Sequence, residues 1–298
     1  MPGHRVIVHA GFHKTATTSA QKFLRANGKN IWPRCSLVLP GKSRKSAARM
    51  AVRYSRYGKP ALLDAFGEDL HATLSKIDQN SSRKVLISDE NIAGRMPGRD
   101  GQLSYNATPA LMARAEEVIC DVFGTESDAV FYFTTRDPDS WLKSTYKHNL
   151  RTSRLTMDEA TYTATYAPAA DLAGVAKAVA DAVTGTVHTV DLADLTGPNG
   201  PAQPLIDLIE LPDYRRHKLV PHPVENAGPD DGLMDDLLAI NQTNLSAIDI
   251  KAAKADLLGK AQDHDGYTRH SPNKKPTKTT QPHHVTCTQT TLTTNRIE

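Results

Sequence analysis

Close to the amino terminus, the β-branched run Val6, Ile7 and Val8 leads to Gly11, after which apolar and polar positions fall into a helical rhythm from Ala16 onward. A short unbroken apolar run reads as a strand buried on both faces, and the change of period reads as a strand-to-helix turn. The pattern recurs along the chain. Apolar runs at 84–88 and 130–135 and the stretch 186–191 read as strands, and helical periodicity covers 61–77, 109–123, an alanine-rich stretch at 169–183, and 203–210, 233–240 and 251–258. Another helix starts at Pro138, a residue suited to a first helical turn. Strands alternating with helices at these intervals predict right-handed β-α-β crossovers and an α/β fold with a mainly parallel central sheet flanked by helices. The proline-rich stretch 212–231 reads as a loop. Beyond 262 the chain is rich in Thr, His, Lys and Pro and almost devoid of apolar residues, which predicts one domain over 1–261 and a poorly ordered polar tail over 262–298.

Composition narrows this picture. With 298 residues, 39% of them hydrophobic, the chain can bury one substantial core. No run approaches the roughly 20 apolar residues of a membrane span. A strand that starts at Arg5 leaves no room for a signal peptide or anchor, so a cytoplasmic location is expected. Cys35, Cys120 and Cys287 lie far apart with no metal-ligand spacing, which suits a reducing compartment. The pair His283 and His284 has no ordered partner in the sequence, and no metal is expected. Charge is unevenly spread: residues 1–63 hold thirteen Lys or Arg and no Asp or Glu. A positive region around the first strand-to-helix turn raises the local concentration of an anionic ligand.

That turn has the makings of a phosphate cradle. The first N–H groups of a helix that follows directly on a strand point at one spot, with the positive end of the helix dipole behind them. Lys14 adds a point charge, and Thr15, Thr17 and Thr18 can donate further hydrogen bonds. A threonine that merely caps the helix is the plainer alternative. The triphosphate loop G-x-x-x-x-G-K-[ST] does not fit, because Val8 and His13 stand where its glycines belong. A shorter cradle for a single 5′-phosphate fits better.

The motif His9-x-Gly11-x-x-Lys14-Thr15-Ala16-Thr17-Thr18-x-x-Gln21 resembles the 5′-phosphosulfate-binding motif, K-T-G-T-T, of sulfotransferases that use 3′-phosphoadenosine 5′-phosphosulfate. Ala16 replaces the motif's glycine. Helical periodicity begins at Ala16, so a helical conformation is expected there, in which alanine is harmless. The strand Val130 to Thr135 is followed by Arg136, with Ser144 eight residues further on in a helix, and this resembles the same family's 3′-phosphate-binding segment. The resemblance implies a three-layer fold like that of P-loop NTPases. It also implies a cofactor-binding set of Gly11, Lys14, Thr15, Ala16, Thr17, Thr18, Arg136 and Ser144, with 3′-phosphoadenosine 5′-phosphosulfate as donor and 3′,5′-adenosine bisphosphate as product, without a metal. Lys14 would meet the charge that grows on the bridging oxygen of the leaving phosphate.

The acceptor needs a base. An apolar strand ends at Ser88 in two adjacent carboxylates, Asp89 and Glu90, at the rim where open α/β sheets bind ligands. Some carbohydrate-modifying members of the family look similar in placing a glutamate base near this part of the sheet, which ranks Glu90 ahead of Asp89. One of the two can instead cap the next segment or pair with Arg95. His13, His9 and His148 rank below them. The run Lys42, Arg44, Lys45, Arg49, Arg53, Arg56 and Lys59 is either a solvated helix and loop or a holder of an anionic acceptor such as an acidic saccharide. The resulting expectation is sulfuryl transfer to a hydroxyl or amine of a small molecule or carbohydrate, with no nucleic-acid partner. The competing readings are a kinase-like phosphoryl transferase and a catalytically silent binding protein with a nucleotide fold.

Overall fold

The computed structural model describes residues 4–41, 47–221 and 232–264. In chain order its elements are β1 (Arg5–His9), α1 (Thr17–Ala26), α2 (Gly28–Ile31), β2 (Cys35–Val38), α3 (Ala47–Tyr57), α4 (Pro60–Leu74), β3 (Lys84–Ser88), α5 (Thr108–Phe123), β4 (Asp128–Thr135), α6 (Pro138–Thr152), α7 (Glu159–Tyr166), α8 (Leu172–Ala180), β5 (Thr186–Asp191), α9 (Gln203–Ile209), α10 (Asp213–Arg216), α11 (Gly232–Gln242) and α12 (Ala247–His264). Contacts divide the chain into two units, Met1–Lys254 and Ala255–Glu298. The sheet and the site described below belong to the first; the described part of the second is the end of α12. Most of the expected polar tail, with His283, His284 and Cys287, lies outside the described residues, as do Lys42, Arg44 and Lys45.

The five strands are ordered β2-β3-β1-β4-β5 and every pairing is parallel. On one face, Ile7, Leu86, Val130 and Tyr132 pack against Phe23 and Leu24 of α1, Ile31 of α2 and Leu205, Ile206 and Ile209 of α9. Strand side chains alternate between faces, so Val8, Ile87, Phe131 and Phe133 point the other way. There α8 packs on β4 and β5, and α5 packs on α8. Helices on both faces explain why β1, β3 and β4 carry continuous apolar runs rather than alternating ones, whereas the edge strand β5 is mixed and half-exposed. Each fully buried Val, Leu, Ile or Phe contributes about 1.5–3 kcal/mol.

Several elements depart from the expected pattern. The edge strand β2 and the helix α7 were not expected. The helix expected over 169–183 is split: a 3-10 turn covers Ala167–Ala170, and α8 starts afresh where the Asp171 carboxylate accepts the Gly174 N–H at 2.8 Å. An aspartate at that position starts a helix more readily than it continues one. Within 212–221, part of the expected loop, residues 213–216 form the short α10.

After β1 the chain moves towards β2, whereas after β4 it moves towards β5. The carboxyl ends of β1 and β4 therefore flank a topological switch point, the place where open parallel sheets leave a crevice.

Candidate functional site

The loop leaving β1 has an unusual backbone. Gly11, Lys14 and Ala16 all have positive φ, of 52°, 67° and 63°. Glycine is required at the first of these, since a Cβ there would stand 2.5 Å from Thr17 Oγ1. Ala16 is not helical as expected. It is the left-handed residue that precedes α1. Tertiary contacts impose this. Phe12 is buried against Phe133 and Tyr105, with ring centroids 5.1 and 5.0 Å away. The Trp141 indole N–H donates to the His13 carbonyl at 2.9 Å, and the Tyr105 hydroxyl accepts the His13 N–H at 3.1 Å. Arg136 Nη1 donates to the Lys14 carbonyl at 2.9 Å. A non-glycine residue in the left-handed region costs about 1–2 kcal/mol, and a bond from a charged donor offsets about as much.

Left-handed residues on either side of Thr15 turn successive N–H groups to one side, the arrangement that makes an anion-binding concavity. Among the described residues, the N–H groups of Lys14 through Thr18 have no hydrogen-bond partner. No side chain caps α1 either. The Thr15 hydroxyl donates to the Phe12 carbonyl at 2.7 Å and that of Thr17 to the same oxygen at 3.4 Å, so both face the loop's own backbone. Thr15 is buried and lies behind the cleft; its backbone N–H is what it offers a ligand. Glycine at position 16 would relieve the strain. Ala16→Gly is expected to raise the melting temperature by about 2 °C; a lower melting point would show that the loop tolerates alanine without cost.

The concavity opens into a cleft of about 1040 Å³. Lys14, Thr17 and Thr18 line it, with Glu90, Arg136 and Ser144 on its other walls. Burial lowers the pKa of Lys14, and the neighbouring Arg151 and Arg136 lower it further. Arg136 does more than face the cleft: its Nε and Nη2 donate to Ser140 Oγ at 2.9 and 2.7 Å, so one guanidinium joins the β1 loop to the start of α6. Gly11 shapes the turn without lining the cleft. Ser140, Leu192, Leu195 and Pro201 also line it and were not singled out from sequence.

The adjacent carboxylates separate. Asp89 is fully buried and caps the following turn, its Oδ1 accepting the Asn91 N–H at 3.0 Å and the Asn91 side-chain amide at 2.7 Å. Glu90 faces the cleft, where the Gln21 amide donates to its Oε2 at 2.9 Å and to the Ser88 carbonyl at 3.3 Å. Gln21 thereby ties the first motif to the end of β3. Arg95, weighed as a partner for these carboxylates, pairs instead with Asp100.

The histidines also separate. His9 is sealed in the core beside Ser88 Oγ at 2.8 Å, and burial pushes its pKa down to about 4. His13 and His148 line the cleft. Burial, reinforced by Lys14, Arg99, Arg151 and His13, pushes the pKa of His148 down to about 3. Its Nε2 lies 3.0 Å from Arg99 Nη2. Engaged by a guanidinium and ringed by cations, that ring is a poor proton acceptor. Of the basic run, Arg49 reaches the cleft, while Arg53, Arg56 and Lys59 line a separate hollow of about 320 Å³ with Arg95.

No family model and no curated protein matches the chain. Among solved structures it is similar to the sulfotransferase domain from the curacin biosynthetic pathway, at 10% identity and a TM-score of 0.37, over 87% of this chain and 97% of that one. No helix among the described residues is long and apolar enough to cross a membrane.

Proposed function

We propose that this protein is a sulfotransferase that moves a sulfuryl group from 3′-phosphoadenosine 5′-phosphosulfate to a hydroxyl or amine of a small-molecule or carbohydrate acceptor. The observation that carries the reading is the row of unpartnered N–H groups from Lys14 to Thr18, with the Lys14 ammonium beside it. An anion is what such a row binds, and the absence of a side-chain cap on α1 leaves it open. Arg136 and Ser144 line the same cleft and are the groups we assign to a second phosphate of that ligand. Thr135 is paired with Asp191 in the sheet, so Leu192 begins beside Arg136. With Leu195 and Pro201 it offers an apolar wall for a nucleobase.

The donor, when bound, supplies an activated sulfuryl group on a phosphate leaving group. The chain supplies the rest. Glu90, held by Gln21, takes the proton from the acceptor hydroxyl or amine as its oxygen or nitrogen bonds to sulfur. Lys14 and the N–H row meet the negative charge that passes to the phosphate oxygen as the old S–O bond breaks. Holding both reactants in one cleft supplies the in-line approach. A magnesium-triphosphate reading is less well supported, since Val8 is buried within β1 and His13 is pinned at both its N–H and its carbonyl.

Thermal denaturation tests this. Saturating 3′,5′-adenosine bisphosphate without metal is expected to raise the melting temperature by about 5–10 °C. Ser144→Ala, which disturbs no loop contact, should shrink that gain while leaving the unliganded melting point in place. A response to ATP with magnesium and none to the bisphosphate would overturn the proposal.

A further inference from the structure

Positive charge in the cleft extends well past the two phosphate positions. The segment following β3 carries Arg99 against α6, in the cleft that Glu90 also lines. There its Nε donates to Asn149 Oδ1 at 3.1 Å, and its Nη2 meets His148 Nε2 at 3.0 Å and Thr152 Oγ1. Nη1 has no partner among the described residues, and every group Arg99 touches is neutral. Its neighbours Arg95 and Arg56, by contrast, share Asp100. A half-buried guanidinium without a counter-charge is costly unless a ligand supplies the anion.

Arg151 faces the same region, and so does Arg49 from α3. Along α6, Arg151 lies two turns beyond Ser144, about 10 Å further from the end of β4. A phosphate at Arg136 and Ser144 cannot also reach that far. Neither Arg99 nor Arg151 pairs with a carboxylate among the described residues.

We infer that Arg99 and Arg151 form an anion subsite for the acceptor, selecting one that carries a carboxylate or sulfate ester near the group to be sulfated. This rests on the sulfotransferase reading. The Nη1 protons of Arg99, without a partner among the described residues, suit such a group, because an N–H bond from a guanidinium to a carboxylate or sulfate oxygen is charge-assisted.

Calorimetry on the protein loaded with 3′,5′-adenosine bisphosphate tests the subsite. The probes are a glucuronate-containing disaccharide, its carboxyl-reduced counterpart and a 6-sulfated neutral disaccharide. Wild-type protein is expected to bind at least one anionic probe about 10-fold or more tightly than the reduced one. The carboxylate and sulfate arms show which anion the site takes. Arg99→Gln is expected to erase the preference with bisphosphate affinity unchanged. Arg151→Gln, whose side chain makes no hydrogen bond among the described residues, provides the same test in a fold that does not depend on it. Equal binding of all three probes by wild-type protein would overturn the inference, as would loss of bisphosphate affinity in both variants. Failure of wild-type protein to bind bisphosphate at all would instead bring down the sulfotransferase reading beneath it.

Discussion

Replacing Lys14 with Met is expected to slow sulfuryl transfer by about 10²–10³-fold while 3′,5′-adenosine bisphosphate still binds. The reason is where charge changes during the reaction. On the proposed reading the backbone N–H row from Lys14 to Thr18 holds the 5′-phosphate in the ground state, and methionine leaves that row intact. The ammonium matters most when the bridging oxygen takes on the electrons of the breaking S–O bond, so its removal is felt in kcat more than in affinity. Lys14 is well placed for this: it is partly buried, its charge is resisted by Arg151 and Arg136, and an anion beside it relieves that repulsion. Methionine keeps the length of the stem and inherits the same left-handed backbone, with φ of 67°. Stability is therefore expected to change little, and a melting curve checks it. A Lys14→Met enzyme that retained more than about a tenth of the wild-type rate would remove Lys14 from the chemistry.

The second large effect is expected at Glu90. Exchange for Gln keeps the shape of the side chain and removes its capacity to accept a proton, which costs general-base catalysis about 10²–10⁴-fold in rate. Binding of the bisphosphate is expected to survive, because Glu90 follows the end of β3 whereas the residues proposed to hold its phosphates follow β1 and β4. Single-turnover measurement with donor and acceptor pre-bound separates the proton-transfer defect from any change in acceptor affinity. Full activity in Glu90→Gln would mean that the base is elsewhere. Asp89 is a poor replacement, being fully buried and committed to capping Asn91. His148 would then return to consideration, with bound anions offsetting the cations that now hold it neutral.

Much of this site was legible in the sequence because its parts are local. A strand, a glycine and a helix starting within a few residues announce themselves by period and by the residue that breaks it, and Arg136 stands directly after an apolar run. Glu90 could be picked out for the same reason. What escaped was non-local or short. The four residues of β2 make too brief a run to show a period, and they became a strand only by pairing with β3. Arg99 lies in an irregular stretch with no pattern, and its place in the cleft is set by Asn149 and Thr152, some fifty residues away. Gln21 was visible as part of a motif, but its bond to Glu90 spans 69 residues.

Ala16 shows the boundary between the two kinds of information. By periodicity alone, alanine at the start of a helical pattern is helical, and nothing in its neighbours says otherwise. Its left-handed backbone follows from the distant side chains that grip the loop before it: Tyr105 and Trp141 on His13, and Arg136 on Lys14. The sequence by itself determined the alternation of strands and helices, the parallel sheet and the strand ends from which ligand-facing residues project, since these depend on interactions between near neighbours and on where apolar side chains must hide. Only the tertiary structure decided the hand of the loop, the inward turn of Thr15, the separation of Asp89 from Glu90 and the seating of the Arg99 guanidinium against α6. Each of those depends on groups brought together across the sheet, where the energy of a few long-range contacts outweighs local preference.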